Sequence, residues 1–542
     1  MGPAVTLLVG FVASLCVVAW VRGTTRKKWT SLPGPPKESW LLGNRFGTAA
    51  KSRRNTEPEG HFREFCEQYG NTFAFHDLLG AQKIFSRDIK VLQQVTSDIH
   101  TFVSDEITVE MMKMVAGGGL VAAYGDDHRR MRRIISPAFS LGQIKQITPM
   151  ILQHASGLRR QIETAIEHQN VLDVTPFLDA AALDVIAEAG FGHKVRALEL
   201  GLQSCELAST YSSTVSSTLA GGLSVLFVAS LAKLLRWPTL VRFPLTQTHR
   251  ALRRQKAIID RIAGEILESK REELKDLSDE EVLDVGKTIL SSMMKSNFLG
   301  RKETRLADDE VVGHIQTFLF AGFETTSTTL AWTLWRLSRD QALQERVRRQ
   351  IKDYLVQRDV RTVSELQYED IWSPELDLIG RVVLETLRLH PPVPTMERVS
   401  TRDTVLKLSA DADLVGPTLA IGKGTKVVLG LAALSCDSEY FGANPLDFNP
   451  DRFLHLPDKH GDARFGPQGT FTFSGGPKAC IGMQVALTEL RSFLVELLAN
   501  FRFEPADGEG TVDVMQALVY RPVVRCAGEK PEIALPLHVV RL

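Results

Sequence analysis

A short loop near the C-terminus constrains this 542-residue chain more than any other feature. Residues 473–482 read Phe-Ser-Gly-Gly-Pro-Lys-Ala-Cys-Ile-Gly, and an apolar helical pattern starts directly after them. Glycines let backbone N–H groups turn toward the sulfur of Cys480, and the N-terminus of a following helix favours an ionised thiolate. The loop therefore predicts a stabilised thiolate, although a buried structural cysteine in a glycine turn is the commoner role of a single Cys.

Three further stretches narrow the choice between these roles. Residues 321–326, Ala-Gly-Phe-Glu-Thr-Thr, interrupt a long apolar helical run with an acid and hydroxyls. Glu385 and Arg388 lie three apart on a helix that the prolines at 391–392 should end, a spacing that normally indicates a surface salt bridge. Residues 448–453 read Phe-Asn-Pro-Asp-Arg-Phe.

Together the four stretches resemble the cytochrome P450 family. Residues 473–482 match the family's haem-ligand signature Phe-x-x-Gly-x-Arg-x-Cys-x-Gly, except that Lys478 stands where the family usually has Arg. Residues 321–326 match its oxygen-activation segment, Glu385 with Arg388 its Glu-x-x-Arg pair, and 448–453 its Pro-x-Arg-Phe stretch. The resemblance runs from about residue 30 to the end of the chain. It implies a mainly α fold with small β-sheets, built as a single large domain.

The resemblance also assigns haem b as the cofactor, with Cys480 as the axial thiolate ligand of its iron. Thiolate ligation pushes electron density toward the iron and favours O–O cleavage. His128 and Arg132 are four apart, hence on one helical face, and match family positions that pair with a haem propionate. Arg398 is the second propionate candidate and Lys478 the third, although lysine lacks the bidentate fork of arginine. The remaining expected haem contacts are Phe473, Gly476, Gly482 and Ala321.

A long buried helix is predicted from about Asp308 to Ser338, with carboxylates in its first turn. Glu324 and Thr325 interrupt its apolar pattern, and a buried acid is costly unless it is partnered or used. The resemblance implies that Thr325 hydrogen-bonds dioxygen while Glu324 helps deliver protons through water. A Thr hydroxyl bonded back to the carbonyl four residues earlier is the ordinary alternative. Gly322 would allow a local opening of the helix.

Two further clusters are interpreted through the same resemblance. Glu385 and Arg388 are expected to form a buried pair joined by Arg452, which locks the cysteine loop. Some side chains of the basic run near residue 130 point away from the propionate face. They indicate a docking face for an acidic reductase or a solvated helix face, and the two alternatives have about equal weight. These side chains are Arg129, Arg130 and Arg133.

Composition excludes several other classes of function. Lys+Arg and Asp+Glu are both 64, and without a basic stripe interleaved with aromatic residues nucleic-acid binding is not expected. The six cysteines are scattered without a Cys-x-x-Cys pair, so we expect neither zinc nor disulfides, and a reducing compartment. No Gly-x-Gly-x-x-Gly follows a strand-like run. Electrons must therefore come from another protein, which the resemblance identifies as NADPH–cytochrome P450 reductase.

The N-terminus predicts a membrane anchor. Residues 1–21 carry no charge and are rich in apolar side chains, which is about the ~20 residues that a transmembrane helix needs. Basic residues follow at once, so the positive-inside rule places the rest of the chain in the cytosol. A cleaved signal peptide is the weaker alternative. We predict a single-pass anchor over 1–21 in the endoplasmic reticulum membrane, a basic and proline-rich hinge over 22–36, and a haem-thiolate domain over 37–542.

A second apolar segment, Leu223 to Leu235, precedes Arg236-Trp237-Pro238. It is interpreted equally well as a surface segment in contact with membrane lipid and as a buried helix.

The resemblance implies that mostly apolar stretches line the substrate pocket, which indicates that the substrate is a hydrophobic small molecule. They are Phe102 to Val115, Leu219 to Phe227, Ala321, Phe323, Val393 to Met396, and Val519 to Pro522.

The sequence therefore predicts a membrane-bound haem-thiolate monooxygenase, similar to microsomal fungal members of the family. It would insert one atom of O2 into a hydrophobic molecule, of terpenoid or fatty-acyl type in secondary metabolism. An isomerase or dehydratase that uses neither O2 nor reductase is the alternative enzyme, although the intact Glu324-Thr325 pair disfavours it. A non-catalytic, membrane-tethered haem-binding protein is the alternative outside enzymes.

Overall fold

The structure is a computed structural model, and it describes most of the chain beyond the N-terminal segment. The described residues are 32–39, 43–44, 60–77, 80–211, 213, 222–275, 288–299, 305–409, 416–463, 465, 469–506, 511–516, 519–525 and 532–542. The predicted anchor and most of the predicted hinge lie outside these residues. Within the described ranges, no helix is both long and apolar enough to cross a membrane.

Helices make up most of the described chain, as the sequence predicts. Those with assigned bounds are α1 Gly60–Tyr69, α2 Ile89–Ser97, α3 Glu106–Val115, α4 Gly125–Ile135, α5 Leu141–Ile166, α6 Thr175–Phe191, α7 Ala197–Leu200, α8 Gly222–Leu235, α9 Gln247–Lys275, α10 Ile289–Leu299, α11 Asp308–Arg339, α12 Gln341–Gln357, α13 Tyr368–Ile371, α14 Asp377–Leu389, α15 Leu431–Ser435, α16 Ser438–Phe441, α17 Asp458–Ala463 and α18 Met483–Asn500.

The strands form small sheets at the periphery of the helices. They are β1 Thr72–His76, β2 Gln82–Ser86, β3 Phe102–Val103, β4 Val171–Asp173, β5 Thr395–Ser400, β6 Thr404–Lys407, β7 Thr418–Ile421, β8 Lys426–Gly430, β9 Phe501–Pro505, β10 Thr511–Gln516, β11 Tyr520–Arg525 and β12 Pro536–Arg541. One sheet has the order β1-β2-β8-β5-β3, a second β4-β12-β9, and β6-β7 and β10-β11 are hairpins. The β2–β8 pair is parallel.

The core is organised around α11, whose bounds agree with the prediction of Asp308 to Ser338 within one residue. Acidic residues occupy its first turn, where the helix dipole stabilises them. Its N-terminal half packs with α6, α9 and α10. Its C-terminal half packs with α5, α6, α14 and α18. The helix is therefore buried along its length, which explains the apolar pattern of its sequence.

The structure shows no break in α11 at Gly322, where the sequence would allow a local opening. A Cβ at Gly322 would lie 2.7 Å from Cγ1 of Ile186 on α6, closer than real side chains approach. Glycine at this position therefore lets the two helices pack closely.

The apolar segment before Arg236 forms helix α8. Val228 and Ala232 on this helix are buried in a cluster with Leu240, Val241 and Leu252, so at least one of its faces packs in the protein. The end of the helix and the residues that follow it present an exposed apolar surface, formed by Leu235, Trp237, Phe243 and Leu245. The buried residues on α8 agree with the interpretation as a buried helix. The exposed apolar surface at its end agrees with the interpretation as a surface segment.

Candidate active site

Backbone contacts fix the loop that carries Cys480. The Cys480 N–H donates to the Phe473 carbonyl at 2.9 Å, and a single 3-10 turn, Gly476–Lys478, lies between them. Gly476 has φ +67°, and a Cβ there would lie 2.3 Å from the Thr96 carbonyl oxygen near the end of α2. Only glycine fits such a conformation and contact, so Gly476 holds the loop against α2.

The Cys480 sulfur lies at the N-terminus of α18. Burial raises the pKa of the Cys480 thiol, whereas the backbone N–H groups of Gly482 and Met483 and the charge of Arg132 lower it. The amide donors are those that the loop sequence predicts. Cys480 nevertheless keeps an exposed surface. Because protein atoms surround the thiol, this surface borders an interior space and not the bulk solvent.

One aromatic side chain connects the loop to the central helix α11. The Phe139 ring is 5.2 Å from the ring of Phe318 on α11, and its Cε1 is 3.9 Å from where a Cβ of Gly482 would lie. Phe139 thus lies between the loop and the helix. One turn beyond Phe318, Ala321 is exposed although the helix around it is buried. This exposure is what a helix that borders an internal cleft should show.

Cationic side chains gather beside the loop. His128 on α4 is 2% exposed and its Nδ1 is buried without a hydrogen-bond partner among the described residues. Burial and then the charges of Lys478 and Arg132 lower the pKa of His128 to about 4. Arg132 donates to the Ala479 carbonyl at 2.6 Å. His128 and Arg132 therefore share a face of α4, as their spacing predicts.

Lys478 and Arg398 complete this cation cluster. The Lys478 ammonium donates to the Ala123 carbonyl at 2.6 Å and lies 3.7 Å from the centre of the Tyr124 ring. Burial and the charge of Arg398 lower the pKa of Lys478 to about 7. Arg398, on β5, contacts the Ser104 hydroxyl at 3.4 Å. Within the described part of the chain, none of the cluster's members has a carboxylate partner.

Half-buried cations without a counter-charge are costly unless an anion joins them. The cation cluster lies next to a cysteine that borders an interior space, and one of its members has an orphaned ring nitrogen. A haem group would supply an iron for the thiolate, a flat ring for the space between loop and helix, and two propionates for the cations. The residues present therefore fit haem.

The acid and hydroxyl of α11 differ in their surroundings. The Thr325 hydroxyl donates to the Ala321 carbonyl at 2.7 Å, so the ordinary back-bonded geometry is present. Glu324 is 1% exposed, and burial raises the pKa of its carboxyl, opposed by Arg521. Its Oε1 accepts from Arg521 Nε at 3.3 Å, and Arg521 also donates to Asp179. Sequence reasoning missed Arg521 and Asp179, which are far from Glu324 along the chain and belong to no motif.

The predicted Glu385–Arg388–Arg452 network is present and buried. Arg388 donates to both oxygens of Glu385 at 2.7 and 2.8 Å, and both side chains are 0% exposed. Arg452 Nε lies 3.4 Å from Glu385 Oε1. Thr472, next to the first residue of the cysteine loop, donates its hydroxyl to the Leu387 carbonyl at 3.0 Å, which connects this helix directly to the loop.

The basic run on α4 differs from the expectation at one position. Arg130 does not belong to an open basic face, because it forms an ion pair with Glu310. Arg129 is paired with Asp126 at 3.2 Å, and Arg133 is exposed.

The expected pocket lining also needs correction. Phe323, expected to line the pocket, lies instead in the core. It follows Ala321 by two residues on a helix, so its side chain is on a different face from Ala321.

A mainly helical protein with a cysteine at a helix N-terminus and a cation cluster beside it has the features of a haem-thiolate protein. A family model described as Cytochrome P450 matches residues 33–524. The chain therefore belongs to the cytochrome P450 family, and it is a monooxygenase of that family.

Curated relatives are similar to this chain over nearly its whole length. Cytochrome P450 monooxygenase 205 of Postia placenta is 28% identical over 562 residues, covering 99% of this chain and 99% of the relative. Cytochrome P450 monooxygenase 91 of the same organism is 28% identical over 557 residues, covering 97% and 98%. Cytochrome P450 monooxygenase claQ of Ampulloclitocybe clavipes is 28% identical over 510 residues, covering 92% and 91%.

Proposed function

We propose that this monooxygenase inserts one oxygen atom from O2 into a hydrophobic small molecule of terpenoid or fatty-acyl type, in secondary metabolism. Electrons come from NADPH through a separate cytochrome P450 reductase. One observation supports the role of haem in this proposal. The cation cluster lies beside Cys480, and its members have no carboxylate partner among the described residues. When bound, haem supplies the activation of O2. The chain's own residues bind it, orient it and manage protons.

The cofactor is held by residues from four separate parts of the chain. Cys480 supplies the axial thiolate, which the Gly482 and Met483 N–H groups stabilise. His128 and Arg132 from α4, Arg398 from β5 and Lys478 from the loop bind the propionates. Phe473, Gly476 and Gly482 would shape the loop that contacts the ring, and Ala321 would leave room for it.

Proton handling falls to α11. Glu324 is buried, and burial raises the pKa of its carboxyl while Arg521 opposes the rise. It can therefore give a proton to the oxygen-binding side and recover one. Thr325 is the adjacent hydroxyl, and it must exchange its bond to the Ala321 carbonyl for one to oxygen or water. Loss of that internal bond is inexpensive, since the carbonyl keeps its place in the helix.

Membrane contact is proposed from two parts of the chain. Residues 1–21 would anchor the protein in the endoplasmic reticulum membrane with the domain on the cytosolic face. The exposed apolar surface after α8 lies beside Lys233, Arg236 and Arg242, and the Trp237 and Phe243 rings are 5.3 Å apart. Aromatic residues flanked by cations are typical of lipid interfaces. Such a surface would place the substrate entrance close to the lipid.

The test is oxygen-isotope incorporation. Microsomes containing the protein and a cytochrome P450 reductase are given NADPH, oxygen-18 gas and a panel of terpenoids and fatty acids. The proposal expects a product that carries a single heavy oxygen and whose formation depends on NADPH. An NADPH-independent product without label would support an isomerase or dehydratase. Haem binding with no NADPH consumption for any compound would support the non-catalytic alternative.

A further inference from the structure

The carboxyl of Glu324 is held on one side only. Its Oε1 accepts from Arg521 Nε at 3.3 Å, whereas its Oε2 is buried and has no hydrogen-bond partner among the described residues. A buried polar atom without a partner costs free energy comparable to a lost hydrogen bond. Native structures normally satisfy such an atom with protein or with an enclosed water.

The guanidinium of Arg521, which contacts Glu324 Oε1, is itself held by further hydrogen bonds. Arg521, on β11, donates to both oxygens of Asp179 on α6, at 2.8 and 3.3 Å. Asp179 in turn accepts from the Ser327 hydroxyl at 2.5 Å, and Ser327 lies one turn after Glu324 on α11. The guanidinium is thus fixed between two helices. With two carboxylates and one guanidinium, the group carries one negative charge too many for a buried site, and a proton on Glu324 removes it.

A buried tyrosine packs against the same turn of α11. Tyr211, in the helical residues 206–211, is 1% exposed, and its ring lies 5.1 Å from Phe323 and 6.5 Å from Phe320. Its Oη is buried without a partner within the described chain. Burial and the charge of Glu324 raise the pKa of the Tyr211 phenol. A second orphaned polar atom is therefore buried beside the turn of α11 that carries Glu324.

We propose that Tyr211 and the Arg521–Asp179 pair are positioning residues for Glu324, with one enclosed water joining Tyr211 Oη to Glu324 Oε2. The inference rests on the proposed role of Glu324. The water, held by Tyr211, hydrogen-bonds to Oε2 and keeps the carboxyl in one orientation, so that the carboxyl releases and recovers its proton on the Thr325 side. No electron moves and no bond other than O–H forms or breaks. Three of the four side chains come from outside α11, so the position of the acid depends on α6, β11 and residue 211 together.

The test uses the haem-loaded protein and the infrared absorption of protonated carboxyl groups. The band lost in Glu324→Gln is assigned to Glu324. In Tyr211→Phe we expect this band to move to higher frequency, because the carboxyl loses a hydrogen bond, while the thermal midpoint stays at or above that of the wild type. Tyr354→Phe is the control, since Tyr354 donates to Asp370 at 2.8 Å in a different part of the fold and should leave the band unchanged.

A second readout separates positioning from mere packing. The reductase-reconstituted holoenzyme oxidises NADPH in H2O and in D2O, with no organic substrate added. Tyr211→Phe should slow oxidation about fivefold to tenfold and enlarge the solvent isotope effect, as expected for an impaired proton transfer. Tyr354→Phe should do neither.

The outcomes distinguish this inference from the proposed function. If Glu324→Gln leaves NADPH oxidation at the wild-type rate, the proton role of Glu324 itself is wrong. If Glu324→Gln slows oxidation but Tyr211→Phe changes neither the band nor the rate, only the role of Tyr211 is wrong. If Glu324→Gln removes no carboxyl band, Glu324 is ionised and the inference fails.

Discussion

Two buried glutamate–arginine pairs in this protein differ in how completely their hydrogen bonds are satisfied. In the first, both oxygens of Glu385 accept from Arg388, and Oε1 also accepts from the Asn449 N–H at 2.9 Å. In the second, Glu324 has one contact with Arg521 at 3.3 Å and an Oε2 that is orphaned among the described residues. A saturated pair favours one geometry and one charge state, whereas an unsaturated pair leaves an oxygen available for exchange.

The partners of the two arginines reinforce this difference. Arg388 also donates to the carbonyls of Ser435 and Pro445, at 2.7 and 2.6 Å, so it joins its helix to the segment before the cysteine loop. Arg521 binds a second acid, Asp179, and leaves an excess negative charge in its group. The first pair is therefore suited to holding the fold around the cysteine loop, and the second to the proton exchange proposed for Glu324.

The largest expected effect comes from breaking the saturated pair. Glu385→Gln leaves Arg388 and Arg452 buried without a counter-charge, which typically costs about 3–5 kcal/mol. We expect the variant to retain little haem after purification, measured as the ratio of Soret to protein absorbance.

An exposed pair with the same spacing and order provides the control. Glu268 and Arg271 are three apart, 2.9 Å from each other, and 66% and 40% exposed. Glu268→Gln should keep the haem content of the wild type, because solvent screens an exposed ion pair. Equal haem loss in both variants, or in neither, would show that burial of the Glu385 network is not what holds the loop.

The unsaturated pair should respond in the opposite way. Glu324→Gln keeps the size and hydrogen-bonding shape of the side chain, so we expect folding and haem content to stay near wild type. Product formation should fall by about 10²-fold, within the range for loss of a general acid. The measurement is NADPH-dependent turnover of a substrate found in the isotope screen. Loss of haem with retention of turnover per haem would reverse the roles assigned to the two pairs.

The smallest expected effect is on the pH dependence of folding stability, which we expect Glu324 to influence. The pKa of Glu324 is raised in the folded protein above its ordinary value of 4.5, so its contribution to stability is complete below that value and is lost as pH rises through the folded pKa. Glu324→Gln removes this loss, which is about 1.4 kcal/mol for each pH unit by which the folded pKa exceeds the unfolded pKa. Thermal midpoints of variant and wild type should therefore converge at acidic pH and separate in favour of the variant as pH rises. A constant difference across the series would contradict the raised pKa.

The sequence predicts both members of the Glu385–Arg388 pair but only Glu324 of the Glu324–Arg521 pair, and the reason is physical. Glu385 and Arg388 are three apart on one helix, so a local motif contains both. Arg521 follows Glu324 by 197 positions, and Asp179 precedes Arg521 by 342. No periodicity connects residues that meet only through the packing of α6, α11 and β11. A buried acid within an apolar helix was the one available signal, since it requires a partner without naming it.

The same limit applies to the rest of the site. The mainly helical fold, the bounds of α11 and the shared face of His128 and Arg132 follow from patterns that are local in sequence. The core position of Phe323 and the close approach of α6 at Gly322 depend on how helices pack, so the sequence pattern alone does not reveal either of them. The membrane anchor over residues 1–21 lies outside the described residues and stays a prediction.

The most direct test of the account is the carbon monoxide difference spectrum of the dithionite-reduced protein, with wild type beside Cys480→Ser. The account predicts a strongly red-shifted Soret band in the wild type and its loss in the variant, because Cys480 is the proposed thiolate ligand of the iron. A band typical of histidine-ligated haem in the wild type, or the same spectrum in both proteins, would contradict ligation by Cys480. It would also leave the cation cluster without the anion that explains it.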